Sequence, residues 1–276
     1  MSGWERVAHL DRRWVFLGIA LAVIIPVTTR LTVPLGKIAP PTRMLYDYIE
    51  AIEPGEPVMF AFDYGPSSMP ELHPQAWAMV RHCMSRKLRV ISVSLSPQGT
   101  ALAREVLEGV GEELGAVDGE DYVNLGFKVG ALQVIAGMGE SIRQVYAQTA
   151  DGDLTDSLPV MQGVDSYEDI PLVIDLAAGN LPMAWITFAG ERYGQNVAVG
   201  VTAVVATEVY PYLQSEQLVG LVNGLKGAAE YEKLTGVTGD GATGMAAQSV
   251  AHLLIITLVV LGNIAYFASR RRQGTD

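Results

Sequence analysis

Two uncharged apolar segments, one near each end of the chain, limit how this sequence can fold more than any other feature. The first, WVFLGIALAVIIPV, covers residues 14–27 and is extended by two threonines, and the second, VAHLLIITLVVLGNIAYFAS, covers residues 250–269. A helix needs about 20 apolar residues to cross a hydrocarbon core of ~30 Å. The sequence therefore predicts transmembrane helices over residues 14–29 and 250–269, with short tails over residues 1–13 and 270–276.

A cleaved signal peptide is the alternative interpretation of the first segment, because a charged start before a short apolar stretch is typical of one. The segment ends in Pro26-Val27-Thr28-Thr29-Arg30. That ending lacks the small residues of an A-x-A cleavage site, so the sequence favours an uncleaved anchor.

The basic residues near the two segments predict which side of the membrane the termini occupy. Two spans place both termini on one side, and that side carries six basic residues, Arg6, Arg12, Arg13, Arg270, Arg271 and Arg272. Four basic residues, Arg30, Lys37, Arg43 and Lys233, lie on the other side. The positive-inside rule then places both termini in the cytoplasm and the central region outside it.

Charge and cysteine content exclude several classes of protein. Thirty acidic residues against nineteen Lys and Arg give a net charge of −11, and such an acidic protein is a poor binder of nucleic acid. Cys83 is the single cysteine, which excludes an intrachain disulfide, a CxxC redox pair and a thiolate zinc site. The scattered histidines do not form a metal-binding pattern either, so no metal is predicted.

Between the spans, residues 30–57 are expected to form a linker and a membrane-proximal helix, and residues 58–235 an α/β domain. Short apolar runs at residues 58–64, 90–95, 122–127, 171–176 and 197–205 predict strands. Amphipathic stretches between them, including residues 131–146, predict helices. Alternation of this kind requires crossover connections and hence a largely parallel sheet. The sequence predicts a doubly wound, Rossmann-like sheet of about five strands in the order 3-2-1-4-5, with the crossing in residues 147–168.

Ligands of such sheets bind at the carboxyl ends of the strands, near the point where the strand order reverses. The polar residues expected at that edge and chosen as a candidate ligand or cation site are Asp63, Ser67, Ser68, Gln98 and Asp175. The alternative is structural: both aspartates, and either serine, would cap the helices that follow. No G-x-G-x-x-G follows the first strand and no P-loop motif occurs in the sequence, so no cofactor and no catalytic residue is predicted.

The stretch SEQLVGLVNGLKGAAEYEKL, residues 215–234, predicts a last domain helix with a row of small residues on one face, Gly220, Gly224, Gly227 and Ala228. Each glycine costs a helix about 1 kcal/mol, so the row needs an explanation. Close contact with another subunit or a membrane helix would provide one, and packing on the domain's own sheet is the alternative. Residues 236–249 are then expected to form a Gly-rich linker into the second span.

Two functions are consistent with these features. The first is a non-enzymatic scaffold or accessory subunit of a membrane complex, with self-association into a homo-oligomer. The second is a membrane-tethered enzyme or ligand-binding domain that uses the region around Asp63 and Asp175. The sequence leans away from an enzyme because no complete catalytic motif occurs in it.

The predicted topology is tested with reporter fusions at each terminus and near residue 155. A reporter active only in the cytoplasm should work at both termini and fail at the central position, because the basic residues lie at the two ends. Activity of a periplasm-only reporter at either terminus would contradict the topology.

Overall fold

The structure is a computed structural model that describes residues 11–273, with side chains as far as residue 267. The chain divides into a central unit, Leu35–Gly241, and a terminal unit made of the residues before and after it.

The central unit is built on one six-stranded sheet in which all strands are parallel. The strands are β1 (Pro57–Asp63), β2 (Arg89–Ser94), β3 (Tyr122–Phe127), β4 (Leu172–Ala177), β5 (Val197–Val201) and β6 (Gly220–Asn223). Their spatial order is β3-β2-β1-β4-β5-β6. The order predicted for the first five strands is therefore confirmed, and β6 is added at the edge beside β5.

Helices surround the sheet and continue into the terminal unit. They are α1 (Arg12–Thr28), α2 (Pro40–Ala51), α3 (Met69–Ser85), α4 (Gly99–Leu114), α5 (Ala131–Met138), α6 (Ile142–Val145), α7 (Leu181–Trp185), α8 (Ala203–Gln214), α9 (Gly224–Thr235) and α10 (Asp240–Gln273). A π-helical segment, Ile186–Glu191, continues directly from α7.

The sheet is buried on both faces, as a parallel sheet requires. One core lies between the sheet and helices α2, α3, α4 and α9, and includes Leu45, Phe60, Phe62, Met79 and Tyr231. The other lies between the opposite face and α5–α8 with the long β3–β4 connection, and includes Met59, Val93, Tyr146, Trp185 and Val199. The connection after β3 thus carries the chain from the first face to the second.

Two predicted elements differ in their bounds. The helix predicted over residues 131–146 is two helices, because α5 ends at Met138 and the Ser141 hydroxyl accepts the Gln144 N–H to begin α6. The strand predicted to run to residue 205 ends at Val201, and α8 begins two residues later. The carboxylate of Glu71, in α3, accepts the Ala203 N–H at 2.9 Å and so caps α8 from outside the local sequence.

The helix predicted over residues 215–234 is wrong in its first half. Residues Gly220–Asn223 form β6, and the helix begins only at Gly224. Gly220 belongs to a strand, where a Cβ would lie 2.5 Å from the Cβ of Leu45 in α2, and Gly224 adopts φ +56° at the change from strand to helix.

The predicted face of small residues therefore does not exist as one helix face. All four of its residues, including Gly227 and Ala228, are buried inside the central unit. Packing on the chain's own sheet, the alternative considered from the sequence, therefore explains these small residues.

The Gly-rich linker predicted over residues 236–249 is also wrong from Asp240 onward, because α10 begins there. The Glu232 carboxylate accepts the Gly241 N–H at 2.7 Å, which satisfies a backbone donor in the first turn of α10.

Within the terminal unit α1 and α10 pack together, since a Cβ on Gly18 would lie 3.6 Å from Leu254. Among the described residues one helix is long and apolar enough to cross a membrane, Asp240–Phe267. The first predicted segment is helical, but α1 has only 17 residues, fewer than the ~20 expected of a span. A second membrane span therefore remains a prediction.

The close approach at Gly220 gives a test of the β6–α2 packing. Gly220→Ala should destabilise the protein by about 1–3 kcal/mol, because the added methyl meets Leu45 backbone atoms at 2.8 Å as well as its Cβ. The measurement is thermal unfolding of the full chain in detergent. Gly36→Ala is the control, because a Cβ there has no heavy atom within 4 Å. Equal unfolding midpoints for the two variants would contradict this packing.

Candidate functional site

Two aspartates on neighbouring strands lie side by side in the sheet. Asp63 is the last residue of β1, and Asp175 lies in β4 directly opposite Ala61. Because side chains alternate between the faces of a sheet, Ala61, Asp63 and Asp175 all point to the same face. The two carboxyl groups are therefore diagonal neighbours within the second core.

This position is the point where the strand order reverses. The chain moves outward from β1 through β2 to β3, and then returns to place β4 on the other side of β1. In open parallel sheets, the crevice at the carboxyl ends of these two central strands is where ligands bind. The structure thus confirms the sequence-based expectation that Asp63 and Asp175 flank this point.

The Asp63 carboxylate has two neutral hydrogen-bond donors. Its Oδ1 accepts the backbone N–H of Leu95, in the loop after β2, at 2.6 Å, and its Oδ2 accepts the indole Nε1–H of Trp185 at 3.2 Å. Asp63 is 6% exposed. The side chain therefore joins the ends of β1 and β2 to the helix that follows β4, and it caps no helix.

Asp175 has a different environment. It is fully buried, and no N–H or hydroxyl of the described residues donates to either carboxyl oxygen. The Asp63 carboxyl is the charged group that acts on it. Burial without a hydrogen-bond donor disfavours the charged form of a carboxyl group. Asp175 is therefore the member of the pair that keeps its proton, whereas the Asp63 carboxylate has donors.

Burial controls the titration of this pair. It raises the pKa of Asp63 to about 6, against the opposing effect of its hydrogen-bond donors. Burial and the Asp63 charge together raise the pKa of Asp175 well above its usual range. No cation contributes to the shift of Asp175. Near neutral pH the pair therefore carries one proton and one negative charge, the protonation state of an acid–base pair.

Two aromatic residues that the sequence analysis missed surround the pair. Trp185 is fully buried and donates to Asp63, and Tyr146, also fully buried, has a hydroxyl with no hydrogen-bond partner among the described residues. Burial and the charge of Asp63 raise the pKa of Tyr146. The ammonium of Lys128, an exposed residue, lies 5.6 Å from the centre of the Tyr146 ring. No sequence motif marks either aromatic residue, because both come from elements far from β1 in the chain.

The helix that carries Trp185 is irregular. The π-helical segment Ile186–Glu191 begins at the residue after Trp185. Such segments are rare and frequently occur at functional sites. The irregular turn thus starts next to the side chain that touches the acid pair.

The remaining candidate residues lie in the loops after β1 and β2, which form a partly exposed rim at the carboxyl edge of the sheet. Ser67 belongs to a short 3-10 turn, Pro66–Ser68, and Ser68 occupies the N-cap position of α3 without a side-chain capping bond. The Gln98 Oε1 accepts the Ser96 hydroxyl at 3.3 Å, close to Gly65. The capping role considered for the serines is therefore not present in the structure. Gln98 follows Leu95 in the same loop, which links this rim to Asp63.

These features define an α/β protein with a Rossmann-like fold and a buried carboxyl pair at its strand-reversal point. No protein-family model, curated protein or solved structure matches the chain. Within the residues that the structure describes, no cluster of three or more His, Cys, Asp or Glu side chains could hold a metal ion.

The raised pKa values of the two aspartates predict how stability depends on pH. A folded state that holds protons more tightly than the unfolded state loses stability as pH rises, by about 1.4 kcal/mol per pH unit for each such group. The folded-state pKa of Asp63, about 6, and that of Asp175 both lie above the unfolded value of 3.8. The destabilisation therefore begins near pH 4 and continues through the folded pKa values.

Asp175→Asn removes one of these titrations with little change in side-chain size. The variant should gain stability relative to the wild type by on the order of 3 kcal/mol between about pH 4.5 and pH 7. Chemical unfolding of the full chain in detergent at several pH values measures the difference. Asp153→Asn, the same change at an exposed aspartate, should leave the wild-type pH dependence unaltered. A constant difference between Asp175→Asn and wild type across this range would show that Asp175 does not keep its proton in the folded state.

Proposed function

We propose that this protein is a membrane-anchored domain that binds a small polar or cationic ligand at the carboxyl edge of its sheet, between β1 and β4. The observation that carries the proposal is the Asp63–Asp175 pair, in which a fully buried carboxyl group receives no donor from the described residues. The pair lies at the place where this fold class binds ligands.

The energetic cost of the pair supports a functional role. Buried polar groups in native proteins are nearly always hydrogen-bonded, and leaving one unsatisfied costs about 1–3 kcal/mol or more. Replacing buried charged groups by apolar residues of similar size is often neutral or stabilising. A cluster that costs stability in the core, with strongly raised pKa values, is typical of a functional site.

The charges around the edge favour a ligand without phosphate groups. The pair is negative near neutral pH, and α3, which follows β1, carries Glu71 in its first turn. A carboxylate in the first turn already interacts with the positive end of this helix, which disfavours a phosphate there. A cation, or a neutral molecule that donates hydrogen bonds, complements this edge.

The proposed anchoring includes a second span and an orientation. The helix Asp240–Phe267 meets the length and composition of a membrane span. We extend this to α1 because it is apolar and packs against that helix, with Gly18 facing Leu254. The basic residues near both termini support cytoplasmic termini and a central unit outside the cytoplasm.

The scaffold hypothesis loses one of its supports, because the row of small residues that suggested a partner surface is buried inside the central unit. The apolar terminal segments are the structural feature that still supports a scaffold or a subunit of a membrane complex. The ligand-binding proposal is therefore the better supported of the two.

The experiment is a thermal-shift screen of the full chain in detergent against Mg²⁺, Ca²⁺, Mn²⁺, neutral polyols, primary amines and nucleotides. A ligand present at 100 times its dissociation constant stabilises the folded state by about 2.7 kcal/mol, which raises the midpoint of a domain of this size by roughly 5–10 °C. We expect such a shift with a cationic or donor-rich compound and none with a nucleotide.

Matched variants assign the binding to this edge. The shift should be lost in Asp63→Asn and retained in Asp153→Asn, which changes an aspartate on the exposed surface. The absence of any shift in the wild-type screen, or a shift of equal size in Asp63→Asn, would overturn the proposal.

A further inference from the structure

The acid pair includes three buried polar atoms that have no hydrogen-bond partner among the described residues. They are the two carboxyl oxygens of Asp175 and the hydroxyl of Tyr146, and both residues are fully buried. Tyr146 lies close enough to Asp63 for the charge of that carboxylate to raise its pKa. Buried polar atoms in native proteins nearly always have a partner. These three atoms are therefore placed to receive donors from a molecule other than this chain.

The number and kind of these atoms match a primary ammonium group. Such a group carries three N–H donors, one positive charge and no acceptor, whereas a hydroxyl carries one donor and no charge. A hard metal ion fits less well, because Mg²⁺ and Ca²⁺ take about six or more oxygen ligands. Within the described residues no third His, Cys, Asp or Glu joins the pair, and Met59, Val93 and Val199 around it are apolar.

The aromatic residues beside the pair also favour an organic cation. A cation is attracted to the ring faces of Trp and Tyr, most strongly where water is excluded. The chain's own Lys128 places its ammonium 5.6 Å from the centre of the Tyr146 ring. That lysine does not neutralise the pair, since it makes no contribution to the raised pKa of Asp175. Asp63 and Asp175 therefore lie in surroundings suited to an ammonium group that the chain does not supply.

The sheet register shows from which side a ligand approaches Asp175. Asp63 is the last residue of β1 and lies opposite Ala177, so Asp175 is two residues, or about 7 Å, further inside the sheet. Gly179, two residues beyond Ala177, is exposed, and a Cβ there would have no heavy atom within 4 Å. A ligand that enters beside Gly179 meets Asp63 first. The group that reaches Asp175 must be carried on a narrow stem, such as the unbranched four-carbon stem of lysine.

We propose that the ligand of this edge is an unbranched primary alkylammonium ion, whose N–H groups donate to both oxygens of Asp175 and to the Tyr146 hydroxyl. Its stem passes Asp63 and leaves the sheet beside Gly179. On binding, the proton of Asp175 passes to solvent and the ammonium replaces it, so the site carries one negative charge before and after. This inference rests on the proposed function, because it names the class of ligand for the same site.

Three probes with the same four-carbon stem test the proposal by thermal shift, on the full chain in detergent at pH 7. n-Butylammonium at 100 times its dissociation constant should raise the unfolding midpoint by roughly 5–10 °C. At the same concentration 1-butanol, which lacks the charge, and n-butyltrimethylammonium, which has the charge but no N–H donor, should give no shift. A shift of equal size with either control probe, or none with n-butylammonium, would overturn the proposal.

Matched variants place the ammonium at the three atoms. Asp175→Asn should abolish the n-butylammonium shift, and Asp153→Asn, at an exposed position, should retain it. Tyr146→Phe keeps the ring and removes one neutral hydrogen bond, so it should weaken the affinity roughly 2- to 12-fold. A full shift in Asp175→Asn would contradict the proposal. If that variant fails to fold, the comparison of the three probes on the wild type still decides.

Calorimetry on the wild type adds an independent readout. Titration of n-butylammonium in two buffers of different ionisation enthalpy should show release of about one proton per ligand at pH 7. Binding without proton release would place the ammonium away from Asp175 and overturn the proposal. A shift with Mg²⁺ or a polyol that is lost in Asp63→Asn, with none from n-butylammonium, would overturn this ligand class and leave the proposed function standing. No shift with any compound would overturn both.

Discussion

The central constraint on this molecule is that a parallel sheet must be covered on both faces. Its strands are joined only by crossovers, and residues on both sides of each strand need apolar partners. Here α2, α3, α4 and α9 cover one face and α5–α8 the other, with the β3–β4 connection carrying the chain between them. That single change of face creates the strand-reversal point where the acid pair lies.

Polar side chains of α3 join the β5–β6 side of the sheet to the neighbouring helices. The amide of Gln75, buried in α3, donates to the carbonyls of Val201 and Gly224 at 3.1 and 3.0 Å. Further along α3, His82 bonds to Tyr231 of α9 and to Glu50 of α2, each at 2.8 Å. These contacts tie three helices together and hold α3 at the ends of β5 and β6.

The pair itself illustrates why a buried carboxyl group is informative. Asp63 is compensated by two neutral donors, but Asp175 can be accommodated only by keeping its proton, because the sheet fixes its position and no cation contributes to its pKa shift. A leucine at that position would pack without this cost. The energetic penalty therefore points to a role other than stability.

The sequence by itself determined the alternation of strands and helices and the presence of Asp63 and Asp175 at strand ends. It suggested the order of the first five strands, and the tertiary structure settled that order. The sequence could do so because buried strands are short uninterrupted apolar runs and the crossover rules leave few topologies. It did not identify β6, since the repeat of apolar residues around Leu218, Leu221 and Leu225 fits a helix as well as an edge strand.

Only the tertiary structure decided that Gly220 makes room for Leu45 of α2 and that Glu71 caps α8. It also decided that Trp185 and Tyr146 lie beside the acid pair. In each case the partners are distant in the chain, and no local pattern records a contact that exists only after the layers have packed.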